Sequence, residues 1–480
     1  MSKRWKCGDF AANAEENGDV NEVLSLDPEN TNDGKDKGWA WVIAVCGMLV
    51  ISVTFGVGGS YGVFLTYYLN NDVFPGARKI DYAFIGGLMF FFGQMLSPII
   101  ALCIDIFGAR LLILLGILTH VAGYILASFS TQIWQLYLTQ GVLPGVAVAL
   151  VFLTVTLVLP TWFDRYLSSG MGIVTAGAGL GGWVSALYVN SLIKTTGDQK
   201  WALRAIAIVG FVVLFISSFI LTPKNHKRIP LKSVSKQYLS TKAKKQFNLK
   251  VFKSYPLLLL ALWFGLTYTA YVVLLFTLSP FAKKVGLTET QGTVISTVMN
   301  VFQMVGRPCM GLIGDRLGRY NLASLFNIII VILVFAFWIN ATSYGALIAF
   351  SILTGLLVGV TPTMGQSLAA NILQDSEKLP AAWSGMNIVS GIFTLFAEVI
   401  ALALVDDDSS TPYLHTQIFT GVFYAVSFVL LLLIRERLVN RELQLISVNE
   451  VARDSNEKDI VNPQNPIVAF FLRMFYPMKV

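Results

Sequence analysis

The chain has 480 residues, 55% of them hydrophobic and only 13% charged, with a net charge of +7 and a mean hydropathy of +0.65. A soluble domain carries about 25% charged residues, so this composition excludes an ordinary water-soluble fold and points to a chain embedded in a bilayer. Four cysteines (Cys7, Cys46, Cys103 and Cys309) suggest no disulfide framework, and those in apolar runs behave as small apolar residues.

Residues 1–38 are polar and acidic (Glu15, Glu16, Asp19, Glu22) and read as a disordered tail. The first apolar run after them is too long for the core of a cleavable signal. Apolar windows then recur near 40–68, 82–104, 110–129, 134–161, 168–193, 204–222, 255–281, 292–313, 321–340, 344–372, 381–405 and 413–434. Each is long enough to cross a hydrocarbon core, and they number about twelve. Between the sixth and seventh lies 223–253, which carries Lys224, Lys227, Arg228, Lys232, Lys236, Lys242, Lys244, Lys245, Lys250 and Lys253 with no acidic residue. Alternate loops are lysine-poor, and 406–412 is acidic (Asp406, Asp407, Asp408). The positive-inside rule makes the central segment cytoplasmic, and an even number of spans places both termini on the same side. The excess positive charge is thus topology rather than nucleic-acid binding, with attraction to anionic lipid as its added effect.

The central segment divides the chain into an N-terminal lobe, 39–222, and a C-terminal lobe, 254–434. The tail 435–480 is polar until Pro466–Tyr476 turns apolar and aromatic. That run is too short to span; it is expected either in the membrane interface beside Arg473 and Lys479 or against the bundle.

Two charged turns sit at matching places in the two halves. Gly311-Leu-Ile-Gly-Asp315-Arg316-Leu-Gly318-Arg319 separates the eighth and ninth windows, and Ala101-Leu-Cys-Ile-Asp105-Ile-Phe-Gly108-Ala-Arg110 separates the second and third. One membrane unit therefore occurs twice, the mark of a two-lobed carrier. Asp105, Gly108, Arg110, Asp315, Arg316, Gly318 and Arg319 are the expected conformational gate. Each glycine allows a tight turn, and each Asp can accept from the amides at a neighbouring helix N-terminus.

Asp36-Lys-Gly38-Trp39-Ala-Trp41-Val opens the first span, and Trp162-Phe163-Asp164-Arg165 leads into a fifth span rich in Gly172, Gly177, Gly179, Gly181 and Gly182. Both resemble the signature segments of monocarboxylate-transporter-like proteins of the major facilitator superfamily. Gln132-Ile-Trp134-Gln135-Leu-Tyr137-Leu-Thr-Gln140-Gly141 looks particularly like the fungal members. The resemblance implies an all-α membrane protein with twelve transmembrane helices in two pseudo-symmetric six-helix lobes. It also implies a small-molecule solute and the lipid bilayer as surroundings; members in animals often pair with a small single-span chaperone, but nothing in this sequence calls for an obligate protein partner or a cofactor. Read without a family, Trp39 and Trp41 are interfacial anchors and the glycines allow close helix approach.

Charge inside the spans is rare, and the clear cases are Arg307 and Glu398. A charge at a helix centre costs about 2.5–3.5 kcal/mol on insertion scales, so its retention calls for a cavity or a partner. Gly306-Arg307-Pro308 matches the Arg-Pro of the family's eighth span, where the arginine pairs with a substrate carboxylate; a guanidinium fork suits a planar two-oxygen anion. The structural alternative is an arginine snorkelling to the membrane edge. The chain departs from proton–lactate carriers at two places: Gln303 stands where they have an Asp, and Gly59 where they have a lysine. Gly59 is expected to widen the site near Tyr61 and Phe64 and to favour a larger solute. A buried carboxylate resists ionisation, so Glu398 is a candidate for proton coupling or charge balance across from Arg307, or else a neutral structural residue. Further candidates for the solute site are Asn300, Gln303, Thr361, Gln366 and Asn387, with Thr363, Tyr268 and Tyr271 nearby and Pro362 expected to break the tenth span.

No metal-ligand cluster, phosphate-cradling loop or nucleophile–base set is visible in the sequence, which argues against an enzyme or an ATP-driven pump. The expected function is secondary active or facilitative transport of a monocarboxylate-like anion by alternating access, with proton coupling open. The alternatives are a facilitator of a larger or neutral metabolite such as riboflavin, and a non-transporting nutrient sensor. The plasma membrane is the expected location, with the vacuolar and mitochondrial membranes as alternatives.

Overall fold

The computed structural model describes residues 35–224, 236–246, 249–373, 377–406, 409, 411–449, 470 and 473. Most of the acidic N-terminal tail, the middle of the basic segment, Asp407, Asp408, the Asp105 side chain and nearly all of the terminal apolar run lie outside the described residues.

Every regular element described is helical. The N-terminal half contains α1 (Trp39–Leu65), α2 (Lys79–Met95 and Ser97–Phe107, bent by 41°), α3 (Ala109–Ala127), α4 (Ile133–Trp162), α5 (Leu167–Thr196) and α6 (Gln199–Ile220). The C-terminal half contains α7 (Tyr255–Lys284), α8 (Glu289–Leu317), α9 (Arg319–Trp338), α10 (Tyr344–Leu373), α11 (Leu379–Ala403) and α12 (Leu414–Asn449). Ten helices among the described residues are long and apolar enough to cross a membrane, or eleven when the bent α2 pair is one span. The twelfth long helix, α8, runs for 29 residues but carries Gln291, Asn300, Gln303, Arg307 and Asp315. Leu118 on α3, Ile208 and Ile216 on α6 and Val429 on α12 are exposed, an apolar surface that a bilayer, not water, accommodates.

Helix interruptions have local causes. α4 widens into π-type turns at Tyr137–Val142 and Ala149–Leu153, around a proline at position 144 that cannot donate to the ladder. α10 breaks at Gly359, between Tyr344–Val358 and Val360–Leu373. The expected break at Pro362 is thus displaced: Pro362 falls in the first turn of the second piece, where a missing amide is harmless.

The two repeated turns share a backbone. Gly108 (φ 80°) and Gly318 (φ 103°) each end one helix and begin the next, donating to the carbonyls of Ile104 at 2.9 Å and Gly314 at 3.1 Å. Only glycine takes this conformation without cost. Opposing backbones also approach closely between the halves. A Cβ added to Gly172 on α5 would lie 2.5 Å from the Arg307 carbonyl on α8, and one on Gly179 would strike the Asn300 carbonyl. α2 meets α11 in the same way, Gly87 lying against the Leu395 carbonyl. These α5–α8 and α2–α11 contacts form the seam between the halves.

Candidate functional site

A cavity of about 1470 Å³ lies between the halves at the end away from the Gly318 turn. Its walls come from the far ends of α1, α5, α7 and the start of α8, with Asn300 and Gly59 among the lining. Five basic side chains (Arg78, Lys79, Lys194, Lys283, Lys284) line it against one acid, Glu289. Such a lining raises the local concentration of anions.

Below the cavity, α8 presents Asn300, Gln303 and Arg307 at i, i+3 and i+7, one stripe of a helix. Asn300 reaches the cavity, and Arg307 lies about 10 Å deeper by helical rise. Arg307 is only 2% exposed. Nη1 donates to the Thr175 carbonyl of α5 at 2.5 Å. Nη2 donates to Gln303 Oε1 at 2.7 Å and Tyr271 Oη at 3.3 Å, and Tyr271 Oη donates to the same Gln303 oxygen at 3.1 Å. Arg307 Nε and Gln303 Nε2 are buried without a hydrogen-bond partner. Among the described residues no carboxylate comes within ion-pair range of Arg307. Gly359 makes room for its stem: a Cβ there would lie 2.6 Å from Arg307 Nε and would strike Cγ. The arginine thus crosses the seam rather than snorkelling to an edge.

The opposite end is shut by a network centred on Asp315. Its Oδ2 accepts from the Ser169 amide at 2.8 Å and the Ser169 hydroxyl at 2.7 Å, at the start of α5. Its Oδ1 accepts from Arg319 Nε at 3.0 Å and Nη2 at 2.8 Å. Arg319 also reaches Asn371 Oδ1 at 2.9 Å and the Arg165 carbonyl at 3.2 Å. A carboxylate at a helix N-terminus satisfies orphan amides and complements the helix dipole, here from one half to the other. Above it, the Ser168 hydroxyl donates to Ser367 Oγ at 2.8 Å, and the Thr175 and Thr363 hydroxyls meet at 3.2 Å. Arg316 is exposed, and Arg110 stacks its guanidinium 4.5 Å above the Phe219 ring.

Glu398 occupies the α2–α11 side of the seam and is 3% exposed. Its Oε2 has no hydrogen-bond partner and lies against Gly86, where a Cβ would come within 2.6 Å of it. Tyr61 is adjacent, donating to the Tyr82 carbonyl at 2.8 Å. Glu398 and Arg307 do not form an ion pair in this conformation.

The remaining expected solute contacts separate. Thr361 is buried with an unpartnered hydroxyl. Gln366 Nε2 donates to the Thr156 carbonyl at 2.8 Å, bridging the halves. Asn387 Nδ2 is taken by its own helix, at the Trp383 carbonyl. Phe64 does not line the cavity; it stacks with Tyr68 at 6.2 Å inside the N-terminal half. Nor does Gly59 open space beside Tyr61 and Phe64, because a Cβ there would lie 3.0 Å from the Gly182 Cα. The missing side chain is filled by the neighbouring backbone of α5.

Asp36 is a structural residue that hydropathy reading does not single out. It accepts from the amides of Asp164 and Arg165 at 3.1 Å and Tyr166 at 3.2 Å, while Trp41 packs edge-on against Phe163 at 5.1 Å. The two signature segments are thus halves of one clasp, and their joint presence was the available signal. Trp41 belongs to this clasp, whereas Trp39 is exposed as an interfacial anchor should be.

The helical seam, the paired glycine turns and the cavity between the halves define a two-lobed membrane carrier. The sequence profile of the Major Facilitator Superfamily matches residues 43–281 and 264–475. The chain is 38% identical over 471 residues to the uncharacterized transporter ESBP6 of Saccharomyces cerevisiae, covering 93% of this chain and 69% of that one. It is 33% identical over 416 residues to the probable transporter MCH2 of the same yeast, covering 85% and 86%. It is 28% identical over 432 residues to the MFS transporter asaE of Aspergillus flavus, covering 87% and 92%. The chain therefore belongs to the major facilitator superfamily, whose members are multi-pass membrane transporters and not enzymes.

Proposed function

We propose that this transporter moves a small organic carboxylate by alternating access, with Arg307 as the anion-binding group. The observation that carries this reading is a guanidinium buried in the seam with an unbonded Nε and no carboxylate within ion-pair range among the described residues. A buried charge without a counter-ion costs several kcal/mol. The Thr175 carbonyl offsets part of that cost, but the bond joins the two halves and must break when they part at the Asp315 end. An incoming carboxylate is the natural replacement, forked across the guanidinium. The basic cavity lining supports an anionic cargo. The described conformation has its cavity open away from Asp315 and the Asp315 end shut. On the positive-inside assignment, that is an outward-facing state in the plasma membrane, with both termini and the 223–253 linker between lobes 39–222 and 254–434 on the cytoplasmic side.

Glu398 is the proton-coupling group of this reading, supported by its burial in the α2–α11 seam with no ion-pair partner among the described residues. A cavity of about 1470 Å³ exceeds what a lactate-sized acid fills, and Gln303 in place of an acidic residue removes one proton site. Both observations also favour the second reading, facilitated movement of a larger neutral metabolite. Labelled-solute uptake by wild type and Arg307→Ala at two pH values separates the two. The carboxylate reading expects at least a hundredfold loss of uptake in the variant, in line with losing one charge-assisted fork of about 3 kcal/mol; intact uptake sinks it.

A further inference from the structure

We infer that the carboxylate carried by this protein bears an aromatic ring, which occupies a slot between the lobes now filled by Phe55, Phe90 and Tyr268. This rests on the reading of Arg307 as the carboxylate site and adds the chemistry of the rest of the solute. Phe55 of α1 and Phe90 of α2 belong to one lobe, and Tyr268 of α7 to the other. The three rings meet edge to face, with centroids 5.2 Å apart for Phe55–Phe90, 6.4 Å for Phe55–Tyr268 and 6.5 Å for Phe90–Tyr268.

The triangle lies between the cavity and the guanidinium. On one side Phe276, which lines the cavity, meets Phe90 edge-on at 6.2 Å. On the other, Tyr268 meets Tyr271 at 5.8 Å and 85°, and Tyr271 is the residue that bonds both Gln303 and Arg307. A solute descending from the cavity meets these rings before its carboxylate can reach Arg307.

Rings packed within one lobe never need to part, but these three face each other across the seam. For a solute to pass from the cavity to Arg307, Tyr268 must part from Phe55 and Phe90, which would leave three aromatic faces against water. An aryl ring inserted there restores the edge-to-face contacts that are lost, whereas a short aliphatic acid leaves the faces wet. The selectivity is therefore tied to the conformational change itself, since the ring is bound best in the state where the triangle has opened.

The test is counterflow exchange in proteoliposomes of the full chain, with phenylpyruvate and pyruvate as probes that share one head group and differ by the ring. Wild type is expected to exchange phenylpyruvate at least tenfold more efficiently than pyruvate. Phe90→Leu and Tyr268→Leu, which keep apolar bulk, should each cut phenylpyruvate exchange more than pyruvate exchange and bring that ratio toward one, and Arg307→Ala should abolish both. Equal exchange of the two probes by wild type, with both lost in Arg307→Ala, overturns the aryl slot and leaves the carboxylate site standing. Absence of exchange for both probes in wild type, or exchange that survives Arg307→Ala, overturns the carboxylate site and this inference with it.

Discussion

Glu398 and Gly359 show how single positions on this chain are interpreted by their neighbours. Glu398 Oε2 is buried against Gly86 without a hydrogen-bond partner, and the proposed coupling role ties its proton to opening of the α2–α11 seam to water. Glu398→Gln, a neutral isostere, is expected to retain the fold and to flatten the pH dependence of uptake; a profile unchanged from wild type rejects the coupling role. Gly359→Ala places a methyl group against the Arg307 stem and should reduce uptake by at least tenfold with little loss of membrane insertion. Gly345→Ala, on the same helix with nothing within 4 Å, is the matched control and should behave as wild type. Equal activity of the two variants would show that the Arg307 rotamer is not held by this break.

Helices in this protein are positioned by clasps at their ends as much as by side-chain packing along them. Asp36 gathers three amides before α5, and Asp315 gathers the amide and hydroxyl of Ser169 from the other lobe. The first contact lies inside one lobe, whereas the second joins the two lobes and, on the alternating-access reading, releases in each transport cycle. Asp36→Ala should lower stability by about 1–3 kcal/mol through orphaned amides, read as a fall in melting temperature in detergent. Asp36→Asn, which keeps one acceptor oxygen and tolerates the positive φ of 60°, should lose less. A melting temperature unmoved by either substitution removes the clasp from the account. Among the described parts of the tails and linker, Arg473 donates to Glu436 at 2.9 Å, so the C-terminal run packs on α12 at that residue. Gln246 of the linker helix Lys236–Gln246 reaches Ser384 Oγ at 2.7 Å.

Across the whole protein the seam is asymmetric: polar bridges close one end and a basic cavity opens the other. Ser168 and Ser367 meet at 2.8 Å across the closed end. Replacing both by cysteine should allow an oxidant to lock that end and stop transport, with recovery on reduction. Oxidised double-cysteine protein that still transports would mean that this end does not open during the cycle.

The twelve long helices, the basic segment between the halves and the paired turns at Gly108 and Gly318 were all legible in residue order. A bilayer makes burial a local property, so about twenty apolar residues announce a span wherever they fall, and a glycine turn announces itself by its neighbours. α8 was placed by the apolar window 292–313, although the polar residues along it leave it outside the ten helices that are long and apolar enough to cross a membrane. Partners across the seam were not legible. Arg307 meets Thr175 at a separation of 132 residues, and Gln366 meets Thr156 at 210. Helical periodicity gives a face but not the neighbour it turns toward, and a membrane span apolar on all sides weakens even that signal. So Phe64, expected at the solute site, belongs to packing within one lobe, while Asp36, Ser169 and Gly359 acquire their roles only from chains of contact that the folded lobes create.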